Sequence, residues 1–338
     1  MENKKILMPI LGMIGGLLIV MLLVFPMLSM EVKNIPVGII SLDEGMVTPA
    51  GKVNAGEKFV SNITKKDNKV ISFKKAKSEK TLKTNLDKGK YYAAITIPKD
   101  FTKNSQQKSS KINIVINEGI NPMVTMQLST GLSALGKNTG IVLDLKSVNS
   151  ISKYGLKAMI LPMMLIIMTF VTSLLTSFLI TENVKDDNKV KGYLKQFIYI
   201  LFMAFLIGFL VSSIAIGIAG IDVNLIKPSI YLSLVSFALM LLVNGVVCLF
   251  GKKGMIIPMF LFILGMSLAT LPYEFLNEAW QVLIASWEPF RYIGIGLREV
   301  LYQNHGVFNS ALVSIIVLSV IGIFLSLINV YKSKQSQY

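Results

Sequence analysis

Disulfide chemistry is closed to this chain, because its 338 residues include a single cysteine, Cys248, and one thiol cannot form a bridge within the molecule. Histidine is just as scarce. His305 stands alone, with no cysteine, histidine or paired carboxylates near it at ligand spacing. A loop or interface role therefore outweighs metal binding, and neither a metal nor a cofactor is expected. No nucleophile, base and orienting acid come together anywhere, which argues against an enzyme. Arginine is almost missing: 32 of the 34 basic residues are lysine, leaving Arg291 and Arg298. That bias suits an AT-rich bacterial genome.

The most informative scarcity is that of charge over long distances. Segments 6–30, 158–181, 196–221, 228–251, 254–273 and 300–331 contain no Asp, Glu, Lys or Arg, giving uninterrupted runs of 25, 24, 26, 24, 20 and 32 residues. A helix needs about 20 predominantly apolar residues to cross the hydrocarbon core, and each central charge would cost roughly 2.5 to 3.5 kcal/mol on insertion scales. Six transmembrane helices are therefore expected. The apolar run 279–287 is too short, is bracketed by Glu278 and Glu288, and carries Trp280 and Trp287, both suited to the headgroup level. It reads as part of a re-entrant or interfacial segment, 273–308.

Lysine placement sets the orientation. With the N-terminus inside, ten basic residues fall in or beside the inner loops and termini: Lys4, Lys5, Lys185, Lys189, Lys191, Lys195, Lys252, Lys253, Lys332 and Lys334. The short outer loops hold three, Lys227, Arg291 and Arg298, a clear positive-inside bias. The expected product is a multi-pass cell-membrane protein with both termini cytoplasmic. Its first helix, within 1–30, reads as an uncleaved signal anchor, since its apolar run exceeds a signal-peptide core and no A-x-A site follows.

Between the first and second spans, residues 31–157 form a different kind of sequence, with 21 lysines against 10 acids. Short apolar runs at 35–42, 70–73, 91–97 and 112–116 read as strands, with helical patterns at 53–66 and near Leu82 and Leu86. From residue 121 the pattern turns helical toward the second span. An extracytoplasmic α/β domain with a mixed sheet is expected, followed by a five-helix domain over 158–338. The net positive charge reads first as a solvated surface and second as attraction to anionic wall polymer or lipid. Nucleic acid is not an expected partner, and a cysteine-free outer domain fits a Gram-positive surface.

Few motifs carry chemistry. Residues 131–138 nearly spell a phosphate-binding loop, but Asn138 replaces the hydroxyl that would hold Mg²⁺, and no strand precedes the segment. Asn62-Ile63-Thr64 matches a glycosylation sequon, a common chance pattern. Gly12 and Gly16 have the spacing that lets helices approach closely, as do Ser213 and Gly217. Two polar constellations remain. One is the inner loop 181–195, where Glu182, Lys185, Lys189 and Gly192 lie on either a short helix or a charged linker. The other is the outer segment with Glu274 and Glu278 one helical turn apart, Trp280 and Trp287 at the interface, and Glu288, Arg291 and Arg298 on a run opened by Pro289. That segment reads as two short helices meeting near Ser286, either a movable lid or a static cap with paired charges. Gly294 and Gly296 favour motion, since each weakens a helix by roughly 1 kcal/mol.

Segment 35–45, IPVGIISLDEG, resembles the opening of the outer domains of ABC-2-type transporter permeases and of their relatives, the phage infection (Pip) proteins. Segment 89–102, GKYYAAITIPKDFT, is similar to a second and more specific signature of that family, and 289–298 to a Pro- and Arg-containing stretch before its last span. The layout covers the whole chain. Ser41 stands where the family usually has Asn, and of the usual inner-loop acidic pattern only Glu182 and Gly192 are kept. The resemblance implies an exporter subunit that moves an amphiphilic, lipid-like or antimicrobial substrate outward. It would pair with itself or a sibling permease and with a separate cytoplasmic ATPase that docks on 181–195. The alternative from another class is a non-transporting surface protein, a secretion accessory or a phage-attachment site.

Overall fold

A computed structural model describes residues 2–49, 51–65, 68–105, 111–139 and 142–335. The chain divides into two compact units, Glu31–Met159 and a second made of Met1–Met30 with Ile160–Tyr338.

In the first unit a five-stranded sheet runs in the order β4-β1-β5-β6-β7. Its strands are β1 (Ile35–Ser41), β4 (Ile71–Lys75), β5 (Ala93–Ile97), β6 (Lys111–Asn117) and β7 (Val142–Val148), and β2 (Met46–Thr48) and β3 (Gly51–Val53) form a separate hairpin. β1 is parallel to both β4 and β5, β6 is antiparallel to β5, and β7 is parallel to β6. The interior strand β1 is buried on both faces. Val37 and Ile39 have no exposed surface, and Ile40 joins Leu82, Leu86 and Ala94 on the other side. An unbroken apolar run is what two-sided burial requires. Helices α2 (Ala55–Lys65) and α3 (Glu79–Asp87) pack on this strand, while the short α4 (Phe101–Ser105) and the long α5 (Pro122–Thr139) complete the unit. Asn62 of the sequon lies in α2, and residues 131–138 lie within α5, a helix rather than a phosphate loop.

The two stretches that resemble the permease signatures meet at one carboxylate. Asp43, just past β1, accepts hydrogen bonds from Gly45 N (3.2 Å), Gly56 N (2.9 Å) and Thr102 N (3.1 Å), and from the Thr102 hydroxyl. Burial alone would raise its pKa, but these four donors outweigh it and hold the carboxyl below its ordinary range. Asp43 thus ties the end of β1 to the starts of α2 and α4, which gives those signatures a structural purpose.

The second unit is helical. It comprises α1 (Glu2–Leu28), α6 (Leu156–Asn183), whose first turn belongs to the α/β unit, α7 (Lys189–Ala219), α8 (Ile226–Phe250), α9 (Ile256–Leu268), the single turn α10 (Glu278–Trp280), α11 (Pro289–Tyr302) and α12 (Leu312–Gln335). Among the described residues four helical stretches are long and apolar enough to cross a membrane, Leu156–Asn183, Lys189–Ala219, Ile226–Leu268 and Leu312–Lys332, with a shorter apolar helix over Met13–Leu28. The expected count was six. The stretch Ile226–Leu268 is not one straight helix: a 3₁₀ turn at Gly251–Met255, holding Lys252 and Lys253, separates α8 from α9. There Gly254 lies so close to Val246 O that any side chain would overlap it. The expected fifth span is a helix of only 13 residues, rising about 20 Å against a core of about 30 Å.

α8 is the hub. Tyr231, Leu232, Ala238, Met240 and Asn244 on it have no exposed surface, whereas α7 and α12 turn much of their apolar surface outward. Close packing uses small residues other than those singled out in the sequence. Gly208 of α7 abuts Ser233, and Gly245 abuts Gly322 of α12. Side chains at Gly16 or Gly217 would meet nothing within 4 Å, and Gly12 lies outside the described side chains.

Candidate functional site

Two polar assemblies occupy opposite ends of the helical unit. At the first, α6 ends at Asn183 and α7 begins at Lys189, capped by Asn188 Oδ1, which accepts from Val190 N (3.0 Å) and Lys191 N (3.2 Å). The 181–195 loop is therefore a tight link between two long helices rather than a separate short helix. Its charges pair outward: Asp186 with Lys195 at 2.7 Å, and Glu182 with Lys252 at 3.7 Å. Lys195 beside it holds the Asp186 carboxyl below its ordinary range. Among the described residues Lys185 and Lys189 form no ion pair. A side chain at Gly192 would meet Asp186 only at ordinary contact distance, so close packing does not demand glycine there.

Beneath this link lies a cavity of about 190 Å³ lined by Thr181, Lys185, Tyr193, Gln196, Cys248 and Ser326, among others. Its floor is a buried network of neutral groups. Asn244 Nδ2 donates to Thr181 Oγ1 (2.8 Å) and to Gln196 Oε1 (2.9 Å), and Ser326 Oγ donates to Asn244 Oδ1 (3.1 Å). Gln196 Nε2 reaches up to Val184 O at 2.8 Å. One buried amide thus joins α6, α7, α8 and α12 directly under the loop. Further along, Ser173 donates to Ser236 at 3.1 Å and Ser177 to Met240 O at 2.6 Å. None of these residues stood out in the sequence, because a search for charge passes over Asn, Gln and Ser within apolar runs. The usable signal was an amide at mid-helix, costly in a bilayer unless it is bonded.

At the other end the chain leaves α9 and forms a hairpin. A 3₁₀ turn at Tyr273–Phe275 is followed by α10, then a π turn at Gln281–Ala285, then α11. Glu274 and Glu278 are not one helical turn apart, because Leu276 and Asn277 between them are extended. Glu278 is exposed at the start of α10. Trp280 is buried and stacks on Phe25 of α1 with ring centroids 5.9 Å apart, while Trp287 is half-exposed and donates to Leu283 O. His305, beyond the hairpin, donates its backbone N–H to Glu299 O, and no metal-ligating cluster occurs among the described residues.

Glu288 and Arg291 are not a surface ion pair. Glu288 is fully buried, and its Oε2 caps α11 by accepting from Arg291 N at 2.9 Å. The Arg291 guanidinium turns away, donating to Ala285 O (2.8 Å) and stacking on Tyr273 and Tyr292 at 4.4 and 4.9 Å. Arg298 is buried as well and donates to Ala269 O, the residue just past α9, at 2.6 Å. Tyr231 of α8 donates to Ile293 O at 2.8 Å. Gly294 lies against Ala269, where a side chain would overlap the backbone. Its role is close packing, not the loosening of the helix expected of it. Phe290 completes the seat, meeting Phe170 of α6 and Phe262 of α9 edge-on at 5.7 and 5.4 Å.

The model of a family described as ABC-2 family transporter protein matches residues 6–331, nearly the whole chain. No curated protein and no solved structure matches.

Proposed function

From the premise that this chain belongs to the ABC-2 transporter family, we propose that it is the permease subunit of an ABC-type exporter. It crosses the membrane six times, with α1 and the short α9 as the two further crossings, both termini inside and the α/β unit outside. A separate cytoplasmic ATPase docks on the 181–195 loop through Glu182, Lys185, Lys189 and Gly192, and two permease chains, identical or sibling, assemble with it. The cargo is an amphiphile, lipid-like or antimicrobial, moved outward. In keeping with such cargo, the described transmembrane helices carry hydroxyls and amides in their buried interior rather than charges.

The observation that carries this reading is the family match over 6–331. The local support is the way the loop is built. Its unpaired lysines are exposed, while Gln196 and Asn244 bind its root, the ends of α6 and α7, to two other helices, α8 and α12. A push on the loop therefore reaches the bundle through hydrogen bonds already in place.

The test is co-purification with a P-loop ATPase encoded next to this gene. The wild-type chain should retain the ATPase, and Glu182→Lys combined with Lys185→Glu should lose it while still inserting in the membrane. Retention by the double variant would remove this loop from the docking surface, and failure of the wild-type chain to bind any such ATPase would remove the permease reading.

A further inference from the structure

At the hairpin end the carboxyl of Glu288 is fully buried, and its Oε1 makes no hydrogen bond among the described residues. It sits directly over Gly265 of α9, so closely that a methyl group there would overlap it. The next residues, Pro289 and Phe290, are buried, and Phe290 is wedged between Phe170 and Phe262. The carboxyl thus occupies the contact between the hairpin and α9 itself.

We propose that Glu288 is a proton-sensitive latch: its neutral carboxyl seats the hairpin on α9, and its ionisation releases the hairpin. A buried carboxylate with one unbonded oxygen is strongly disfavoured, whereas the neutral acid is tolerated in the same place. The charged groups around it do not rescue the anion. α9 has no ionisable residue, and neither has α1 beyond Lys5 nor α6 between Lys157 and Glu182. On the hairpin, Glu278 is exposed at the start of α10, and Glu274 precedes it in the 3₁₀ turn. On α11, Arg298 is bonded to Ala269 O, and Glu299 and Tyr302 lie still farther along the helix. Arg291 acts on Glu288 through its backbone N–H and at longer range its charge, and the backbone N–H of Phe290 also favours the anion. Burial is the largest influence and these contributions only partly offset it, so the carboxyl is pushed up from 4.5 to about 7.

The sign follows. A hairpin that has left α9 exposes Glu288, which then ionises in the ordinary carboxylate range near 4.5, whereas the seated group holds its proton to about 7. Seating is therefore strongest below the lower value. It weakens roughly tenfold per pH unit as pH rises toward the upper one, on the order of 100-fold in all. Mildly acidic conditions keep the hairpin closed, and neutral to alkaline ones favour its release. This latch lies beyond the permease reading and does not depend on an ATPase.

The chain supplies its own reporter, because its only two tryptophans, Trp280 and Trp287, lie on the hairpin. In a Trp287→Phe, His305→Gln background, buried Trp280 is the sole tryptophan and no imidazole titrates. Acrylamide quenching of the full chain in lipid nanodiscs, followed from about pH 4.5 to about pH 8.5, should rise several-fold, with the midpoint of the change between about 4.5 and about 7 and a plateau above. Adding Glu288→Gln should hold quenching at the low value throughout. Adding Gly265→Ala, which displaces the carboxyl, should give the high value already at the acidic end. Quenching that does not change with pH in the parent background, or the same midpoint in Glu288→Gln, would overturn the latch. Should Glu288→Gln fail to fold, low quenching of Gly265→Ala at acidic pH would overturn it equally.

Discussion

The two ends of the helical unit bury polar groups in opposite ways. Under the 181–195 loop the buried groups are neutral, and Asn244 is bonded to Thr181, Gln196 and Ser326 on three other helices. At the hairpin the buried groups are ionisable. Glu288 accepts from Arg291 N, Arg298 donates to Ala269 O, and among the described residues one Glu288 oxygen has no hydrogen bond. A satisfied neutral network makes a rigid joint, because any displacement strands several groups at once. A buried carboxyl with one oxygen unbonded makes a joint that a change of protonation can open. On the proposed reading, the loop end transmits force and the hairpin end yields.

The contrast breaks most readily at Asn244. Asn244→Leu takes a partner from Thr181, Gln196 and Ser326 at once; the two hydroxyls keep Ser177 O and Gly322 O, while Gln196 Oε1 loses its amide donor, at about 1 to 3 kcal/mol for a group left unsatisfied. It should lower the thermal midpoint of the purified protein by the largest margin of these substitutions and speed modification of the neighbouring Cys248 by a maleimide. A midpoint unchanged from wild type would mean that the network is not the joint. At the hairpin end, Gly294→Ala should cost about 1 to 3 kcal/mol by overpacking against Ala269. It should raise quenching of Trp280 with little effect on Cys248, and equal effects at both ends would erase the distinction drawn here.

The α/β unit supplies a control in which a buried carboxylate is fully satisfied. Because four donors hold the Asp43 pKa below its unfolded value, its contribution to stability is present above the ordinary carboxylate range and is lost as pH falls through the depressed folded value. Protection of this unit from proteolysis should therefore decline on acidification, the reverse of the trend at Glu288. Thr102→Val should cost about 1 to 2 kcal/mol and shrink the acid dependence. The smallest effect belongs to Lys252→Ala, which removes a largely solvated partner of Glu182. Stability should change by less than about 1 kcal/mol, so any loss of ATPase retention in that variant would report on docking alone.

Much of this arrangement was legible in the sequence. Charge-free runs identify apolar helices because a bilayer tolerates little else. Strands β1, β5 and β6 announce themselves as β-branched and aromatic runs because both faces of the sheet centre are covered. β7 was missed because it is an edge strand, with four of its seven residues exposed and none buried. Its partner β6 lies far back in the chain, so no local periodicity marks it. The fifth run, 254–273, holds a helix of only 13 residues, Ile256–Leu268, since hydropathy does not register the turn that ends it at 269–271. At the hairpin the ionisable residues were visible, but their partners were not. Spacing suggested that Glu288 pairs with Arg291, whereas backbone carbonyls at Ala285 and Ala269 hold the two arginines. Backbone acceptors exposed by helix ends leave no trace in composition.

The central claim is that the α/β unit and the 181–195 loop face opposite sides of a membrane, one outside and one toward an ATPase. With Cys248→Ser as background, single substitutions Lys111→Cys and Lys189→Cys test it directly with a membrane-impermeant maleimide on intact cells. The account predicts prompt labelling of the Lys111→Cys protein in intact cells, and of the Lys189→Cys protein only after the membrane is opened. Labelling of both from the same side would contradict it.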